Sequence, residues 1–314
     1  MSPLNPSPAT GILLVVGSCL SLQFGAALAS GLFPYLGPWG VTTLRLGLAA
    51  LFLLAIARPA AWRWSREAWT GVLLLGASLG AMNGFFFASI ERLPLAVAVA
   101  FEFIGPLVLA AVLSRSGRDL LWVGIAATGM VLLGVESALG AESLDPAGIA
   151  FALVAGGFWA AYILCSARVG RQVPGVGGLA VAMAIGAMGT MIPGAPGALK
   201  AVHHPELAGL VLGVALLSSV VPYSLELGAL RRLSKPAFSV LLSLEPVFAA
   251  AVAWVLLDQT FGWLRAVAIA LVVAASVGTT RTAVRQSRRP SPDALAPAAI
   301  RHTDPAAPAA DTPR

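Results

Sequence analysis

Along most of this chain apolar residues run in blocks of about twenty, long enough for a helix to cross a bilayer's hydrocarbon core, and only short polar breaks separate them. Ten blocks can be marked off: 11–30, 38–57, 70–90, 95–113, 120–135, 147–166, 176–193, 207–230, 237–257 and 263–280. In lipid only helices and closed barrels satisfy their backbone groups, and the blocks lack the ~10-residue alternation of barrel strands. The first block has no basic flank of the kind that precedes a cleaved signal, so it counts as a helix like the others. The expected fold class is an all-α integral membrane protein with ten transmembrane helices.

Composition sharpens this reading. With 58% hydrophobic and 11% charged residues in 314, the chain is excluded from the water-soluble globular class. A formal charge of +6 would suit nucleic acid, but no basic stripe with interleaved aromatics occurs, and no nucleic-acid partner is expected. The basic residues instead gather at block ends. If the N-terminus is cytoplasmic, sixteen of the 20 Lys and Arg fall inside, including Arg58, Arg63, Arg66, Arg115, Arg118, Arg168, Arg171, Arg231, Arg232 and Lys235. Only Arg92, Lys200 and Arg265 fall outside, and Arg45 lies within a block. The positive-inside rule then predicts that both termini are cytoplasmic.

Residues 1–10 carry no pattern, and 281–314 turn rich in Pro, Ala and scattered charge, a composition that predicts a disordered cytoplasmic tail. Arg281, Arg285, Arg288 and Arg289 read either as a solvated flank or as contacts to anionic membrane lipid. Cys19 and Cys165 both sit inside apolar blocks and offer neither a disulfide framework nor metal spacing.

A weak internal match at a shift of 140 residues superposes Arg92 on Arg232, Leu93 on Leu233 and Pro106 on Pro246. The repeating unit is then five blocks, 11–135 and 147–280, joined by a periplasmic connector at 136–146. An odd number of crossings gives the second copy the opposite orientation. Two inverted five-helix repeats can exchange roles around a site near the midplane, which is the geometry of alternating access.

Function is sought among residues that lipid would reject. An arginine or carboxylate at mid-bilayer costs about 2.5–3.5 kcal/mol on insertion scales, so it must face protein or water. Four qualify: Arg45, Glu102, Glu226 and Glu245. Glu102 lies one turn before Pro106 and Glu245 immediately before Pro246, where a missing backbone donor loosens the helix. Either carboxylate is a candidate for proton exchange, and either could instead pair with a nearby donor. Arg45 suits a buried partner carboxylate or a substrate carboxylate equally. Glu226, late in its block, is expected to hydrate at the cytoplasmic interface or pair with Arg231.

A second tier holds Gln23, Asn83, Tyr162, Ser166, Tyr223 and Ser224, any of which could simply bond across a helix interface. Gly76, Gly80 and Gly84 have the spacing of a close helix contact. His203 and His204 have no third ligand at metal spacing; with Glu206 they form the only cluster a membrane-embedded enzyme could use. No phosphate-binding loop, arginine ladder or carbonyl filter is present, so neither an ATP-driven pump nor a selective channel is indicated and no cofactor is expected. What remains is a gradient-driven carrier, with a non-transporting scaffold as the bland alternative.

The segments GLFPYLG from Gly31, GVTTLRLGL from Gly40, SLGAMN from Ser78, AVAFEFIGP from Ala98, WAAYIL from Trp159, VPYSLE from Val221 and SLEP from Ser243 together resemble the EamA branch of the drug/metabolite transporter superfamily. The likeness spans 11–280. It implies a bacterial inner-membrane carrier of ten helices in two inverted repeats, not an enzyme. The implied activity is export of small amino acids such as threonine and homoserine, in exchange for protons; other metabolites or drugs are the alternative cargo. Arg45, Asn83, Glu102, Tyr162, Tyr223 and Glu245 are the expected substrate-contacting residues, with Glu102 and Glu245 as the proton-coupling pair.

Overall fold

The computed structural model describes residues 8–114, 117–139, 144–173, 175–230, 232, 241–242, 244–258 and 262–287. The expected tail from 288 onward, Leu233, Lys235, Arg231 and the start of the ninth block lie outside them. Every regular element among the described residues is helical. In chain order these are α1 (Pro8–Ser30), α2 (Phe33–Ala57), α3 (Arg66–Ile90), α4 (Leu95–Glu102), α5 (Ile104–Ser114), α6 (Gly117–Leu139), α7 (Pro146–Gln172), α8 (Gly177–His203), α9 (Ala208–Ala215), α10 (Val221–Leu230), α11 (Glu245–Leu256) and α12 (Trp263–Ser287). Six helical stretches are long and apolar enough to cross a membrane, and four shorter apolar helices accompany them.

Polarity is distributed as lipid requires. Leu13, Leu51, Ile56, Val112, Ile192 and Trp254 are exposed on the outer surface, whereas Gln23, Arg45, Asn83, Glu102 and Glu245 are buried. At the centre lies α4, all eight of whose residues are buried. Around it, α2 packs against α8, α3 against α7 and α8, α6 against α12, α1 against α9 and α10, and α4 against α7 and α11.

Local chemistry sets the helix ends. Ser65 caps α3 by accepting from Ala68 N at 3.1 Å, and Asp145 caps α7 by accepting from Ala147 N at 2.8 Å, with Pro146 in the first turn where its missing donor is harmless. Asp145 also takes a 2.9 Å bond from Arg92, tying the α3–α4 loop to the start of α7. That bond, and then the backbone donor of Ala147, hold the exposed Asp145 carboxyl below its ordinary range. Arg168 pairs with Glu67 at 2.9 Å, linking the start of α3 to the end of α7.

The expected boundaries shift in several places. The second block starts at Phe33 rather than 38, because Gly37 at φ 64 absorbs the kink ahead of Pro38; this puts Arg45 at the middle of α2. The fourth block divides into α4 and α5. Pro106 has no N–H to return to the Glu102 carbonyl, which instead abuts Gly156 of α7. The seventh block continues through Pro193 and Pro196 to His203. The eighth is not one regular helix: a π-turn over Leu216–Val220 separates α9 from α10. Helix α12 runs past Arg281 to Ser287, so the first residues of the expected tail are helical.

Gly105 and Gly156 bring the α4–α5 junction and α7 into backbone contact, and a side chain at either would collide with the other's carbonyl neighbourhood. A leucine at Gly156 should therefore lower stability by about 1–3 kcal/mol or abolish folding, as overpacking does. The same change at the neighbouring Gly157, with nothing within 4 Å, should be tolerated. Thermal unfolding of both variants in detergent, followed by size-exclusion, checks the contrast.

Candidate functional site

Arg45, 2% exposed, determines the chemistry of the interior. A guanidinium carries five N–H donors and no acceptor, so away from water each donor needs a partner. Nη2 donates to Oδ1 of Asn83 on α3, and Nη1 donates to the Ser218 carbonyl in the π-turn at 3.3 Å. The face of the cation lies 4.8 Å from the centre of the Phe87 ring. Asn83 is itself oriented by donating from Nδ2 to the Leu79 carbonyl at 2.8 Å. Of the donors left over, Nε is buried without a partner among the described residues.

The Ser218 carbonyl is free for a reason visible in the chain. In a regular helix it would accept from residue 222, but that residue is Pro222. In the π-turn's wider register residue 222 would instead reach Leu217, whose carbonyl accepts from Ser21 Oγ of α1 at 2.8 Å. Pro222 withholds one bond, from Ser218 in the regular register or from Leu217 in the wider one, and both carbonyls accept from side chains of other helices. Gly25 of α1 permits this packing, since a Cβ there would lie 2.8 Å from the Ser218 nitrogen.

The carboxylates lie close by. Glu102 is within electrostatic range of Arg45 and Glu245, and has no hydrogen-bond partner among the described residues. Glu245, first residue of α11, accepts from Gln23 Nε2 of α1 at 3.2 Å. Glu226, on α10, accepts from Ser18 Oγ at 3.0 Å and is in electrostatic range of Glu245. Tyr223 is the shared neighbour, within range of Arg45, Glu102, Glu226 and Glu245. Tyr162 reaches this group through Tyr223, and both tyrosines pack on the cluster built from Leu46, Leu79 and Met183.

All six residues singled out as substrate-contacting therefore fall in one interior neighbourhood, drawn from α2, α3, α4, α7, α10 and α11. Glu226, expected at the cytoplasmic interface or paired with Arg231, accepts from Ser18; Arg231 lies outside the described residues. Of the second tier, Gln23 joins the site. Ser224 merely returns a bond to the Val220 carbonyl at 2.6 Å on an exposed face, and Ser166 sits half-buried one turn from Tyr162. Gly76, Gly80 and Gly84 are packing positions, Gly80 lying on Gly186 and Gly84 on Trp39. His204 pairs with Glu206 at 2.8 Å and stacks edge-on with Tyr35, on the surface and away from the site.

Missed by sequence reading were Ser18, Ser21, Ser218 and Phe87. Serine costs little to bury beside a helix carbonyl, so hydropathy does not flag it. The available signal was Pro222 itself, whose position four residues after Ser218 marks that carbonyl as unpaired. Four buried polar atoms near the site have no partner among the described residues: Arg45 Nε, Gln23 Oε1, Ser218 Oγ and Ser219 Oγ. Together with the unbonded Glu102, they give the site unspent donors and acceptors of both kinds.

Residues 146–281 match the EamA-like transporter family. Over 277 residues the chain is 39% identical to the threonine/homoserine exporter RhtA of Escherichia coli (strain K12), covering 88% of this chain and 93% of that one. It is 40% identical over 275 residues to the protein of the same name from Salmonella typhimurium (strain LT2), covering 88% and 92%. A crystal structure at 20% identity shares the fold with a TM-score of 0.55, over 89% of this chain and 99% of the other.

Removing the Asn83 acceptor leaves a buried cation short of one partner. Asn83→Ala should cost about 1.5–3 kcal/mol, the range for hydrogen bonds to charged groups. Replacing the whole pair, Arg45→Met with Asn83→Leu, should recover much of that loss because the uncompensated charge goes too. Thermal midpoints of the purified variants check the order: wild type and double variant above the single variant.

Proposed function

This chain belongs to the EamA-like transporter family, and from that premise we propose that it is a secondary carrier exporting small amino acids, threonine and homoserine among them, across the bacterial inner membrane in exchange for protons. The observation that carries the reading is the convergence of Arg45, Glu102 and Glu245, from three helices, on one electrostatic neighbourhood in an otherwise apolar interior. Buried charge of this kind is expensive and is retained where it does work on a ligand or an ion.

An amino acid is a zwitterion, and the site offers a match for each end. Arg45 supplies a cation for the carboxylate, with Nε still unspent. Glu102, without a hydrogen-bond partner among the described residues, and Glu245 supply acceptors for the ammonium group. Asn83, Tyr162 and Tyr223 border these groups and select the side chain. Burial favours the neutral form of a carboxylic acid and water access the anion, so a chamber that opens alternately to the two sides lets Glu102 or Glu245 take up and release a proton. Protons moving inward then drive substrate outward.

Alternating access follows from ten spans arranged as two inverted repeats of five, a reading supported by the packing. If α1, α2, α3, α4–α5 and α6 correspond to α7, α8, α9–α10, α11 and α12, the contact of α3 with α7 has its counterpart in α9–α10 with α1, and α2–α8, α4–α11 and α6–α12 are each their own counterparts. Such reciprocity is what a pseudo-two-fold axis in the membrane plane produces. The span order is supported by two ion pairs, and the cytoplasmic placing of both termini rests on the positive-inside rule. Arg92–Asp145 and Arg168–Glu67 each join loops that the positive-inside rule assigns to one side.

The test is uptake of labelled threonine and homoserine into inside-out vesicles with an acidified lumen. Wild type should accumulate both. Glu102→Gln or Glu245→Gln, whichever residue carries the proton, should lose accumulation while still exchanging labelled for unlabelled substrate without a gradient. Gradient-driven accumulation that survives in the double variant overturns the proton assignment, and accumulation of other metabolites but neither amino acid overturns the substrate assignment.

A further inference from the structure

The π-turn over Leu216–Val220 is not explained by span formation, since a regular helix of the same residues would cross the bilayer as well. Single π-turns inside helices recur at functional sites because they turn backbone groups out of the ladder. Here the carbonyls of Leu217 and Ser218, within the turn, accept from Ser21 Oγ at 2.8 Å and Arg45 Nη1 at 3.3 Å. The Arg45 guanidinium is thus held at two corners, by Asn83 from α3 and by a main-chain oxygen from the far half of the chain, while Nε is left buried and unbonded. A main-chain acceptor positions the cation without adding a negative charge that would neutralise it. The buried hydroxyls of Ser218 and Ser219 are likewise unpartnered.

We infer that Pro222 is a positioning residue for carboxylate recognition: by withholding the N–H that a regular helix would return to the Ser218 carbonyl it favours the π-turn, and that carbonyl, which accepts from Arg45 Nη1, aims the guanidinium at the substrate's carboxylate. Restoring a donor at 222 lets α9 and α10 close into one regular helix. The Ser218 carbonyl then swings back along the helix axis, and Arg45 loses the anchor that fixes the direction of its remaining donor. The inference rests on the reading of Arg45 as the group that receives a substrate carboxylate.

The experiment compares two competitors of labelled threonine uptake into inside-out vesicles: unlabelled L-threonine and threoninol, in which the carboxylate is replaced by a hydroxymethyl group. Their ratio of half-inhibitory concentrations measures carboxylate recognition alone. In Pro222→Ala the apparent affinity for threonine should fall about tenfold, the loss of one well-aimed bond to a charged group, while that for threoninol stays put and maximal rate is largely kept. Ser21→Ala, which unpairs the Leu217 carbonyl without touching Pro222 or Arg45, should shift the ratio the same way but less, and decides the matter if Pro222→Ala yields no folded protein. An unchanged ratio in these variants, with a collapsed ratio in Arg45→Met, overturns the inference and spares the Arg45 reading. An unchanged ratio in Arg45→Met overturns that reading itself.

Discussion

A guanidinium in a water-poor interior is the constraint from which the rest of this architecture follows. Arg45 cannot lose its charge to accommodate burial, so the surrounding helices must bring acceptors to it. Asn83 supplies one from α3, the Ser218 main chain another from the π-turn, and Phe87 offers its ring face. These contacts fix where α2, α3 and the α9–α10 segment stand relative to each other. Glu102, Glu245 and Glu226 are then arrayed where the cation's field reaches the nearest of them, Glu102, directly.

Prolines are the means by which the fold makes polar sites without polar side chains. Pro106 ends α4 at Glu102 and releases its carbonyl toward Gly156, and beside Pro222 the Leu217 and Ser218 carbonyls accept from Ser21 and Arg45. Pro246 instead stands in the first turn of α11, beside Glu245, where no bond is lost. In lipid such free carbonyls are tolerated only where protein or a water-lined cavity covers them, so each proline also dictates which neighbour must pack there.

Much of this was legible in the chain, and the reasons are physical. Span length follows from bilayer thickness, so the apolar blocks correspond to helices even where their ends move. Arg45, Glu102 and Glu245 stand out because hydrocarbon rejects them. Less legible were the features that cost lipid nothing. Pro193 and Pro196 read as a stop, yet α8 passes through both, because hydropathy reports the surroundings of a segment and not its hydrogen-bond register. Arg281 reads as the start of a tail for the same reason: charge marks where lipid ends, not where the helix does. The π-turn is hidden in a run of apolar and small residues that any helix would accept, and Ser18 and Ser21 are too cheap to bury to attract notice.

The seam between α2 and α8 carries a last consequence. Gly40 and Gly197 meet backbone to backbone, with a Cβ on Gly40 only 2.9 Å from Gly197 Cα, and Gly194 lies equally close to the Trp39 main chain. Backbones this close are pinned as well as packed: Thr43 Oγ1 donates to Thr190 Oγ1 at 3.1 Å across the same seam, so separating the two helices forfeits a buried hydrogen bond and the dispersion attraction along the whole line of contact. The two helices are thereby clamped into a single beam, so any displacement of one carries the other with it.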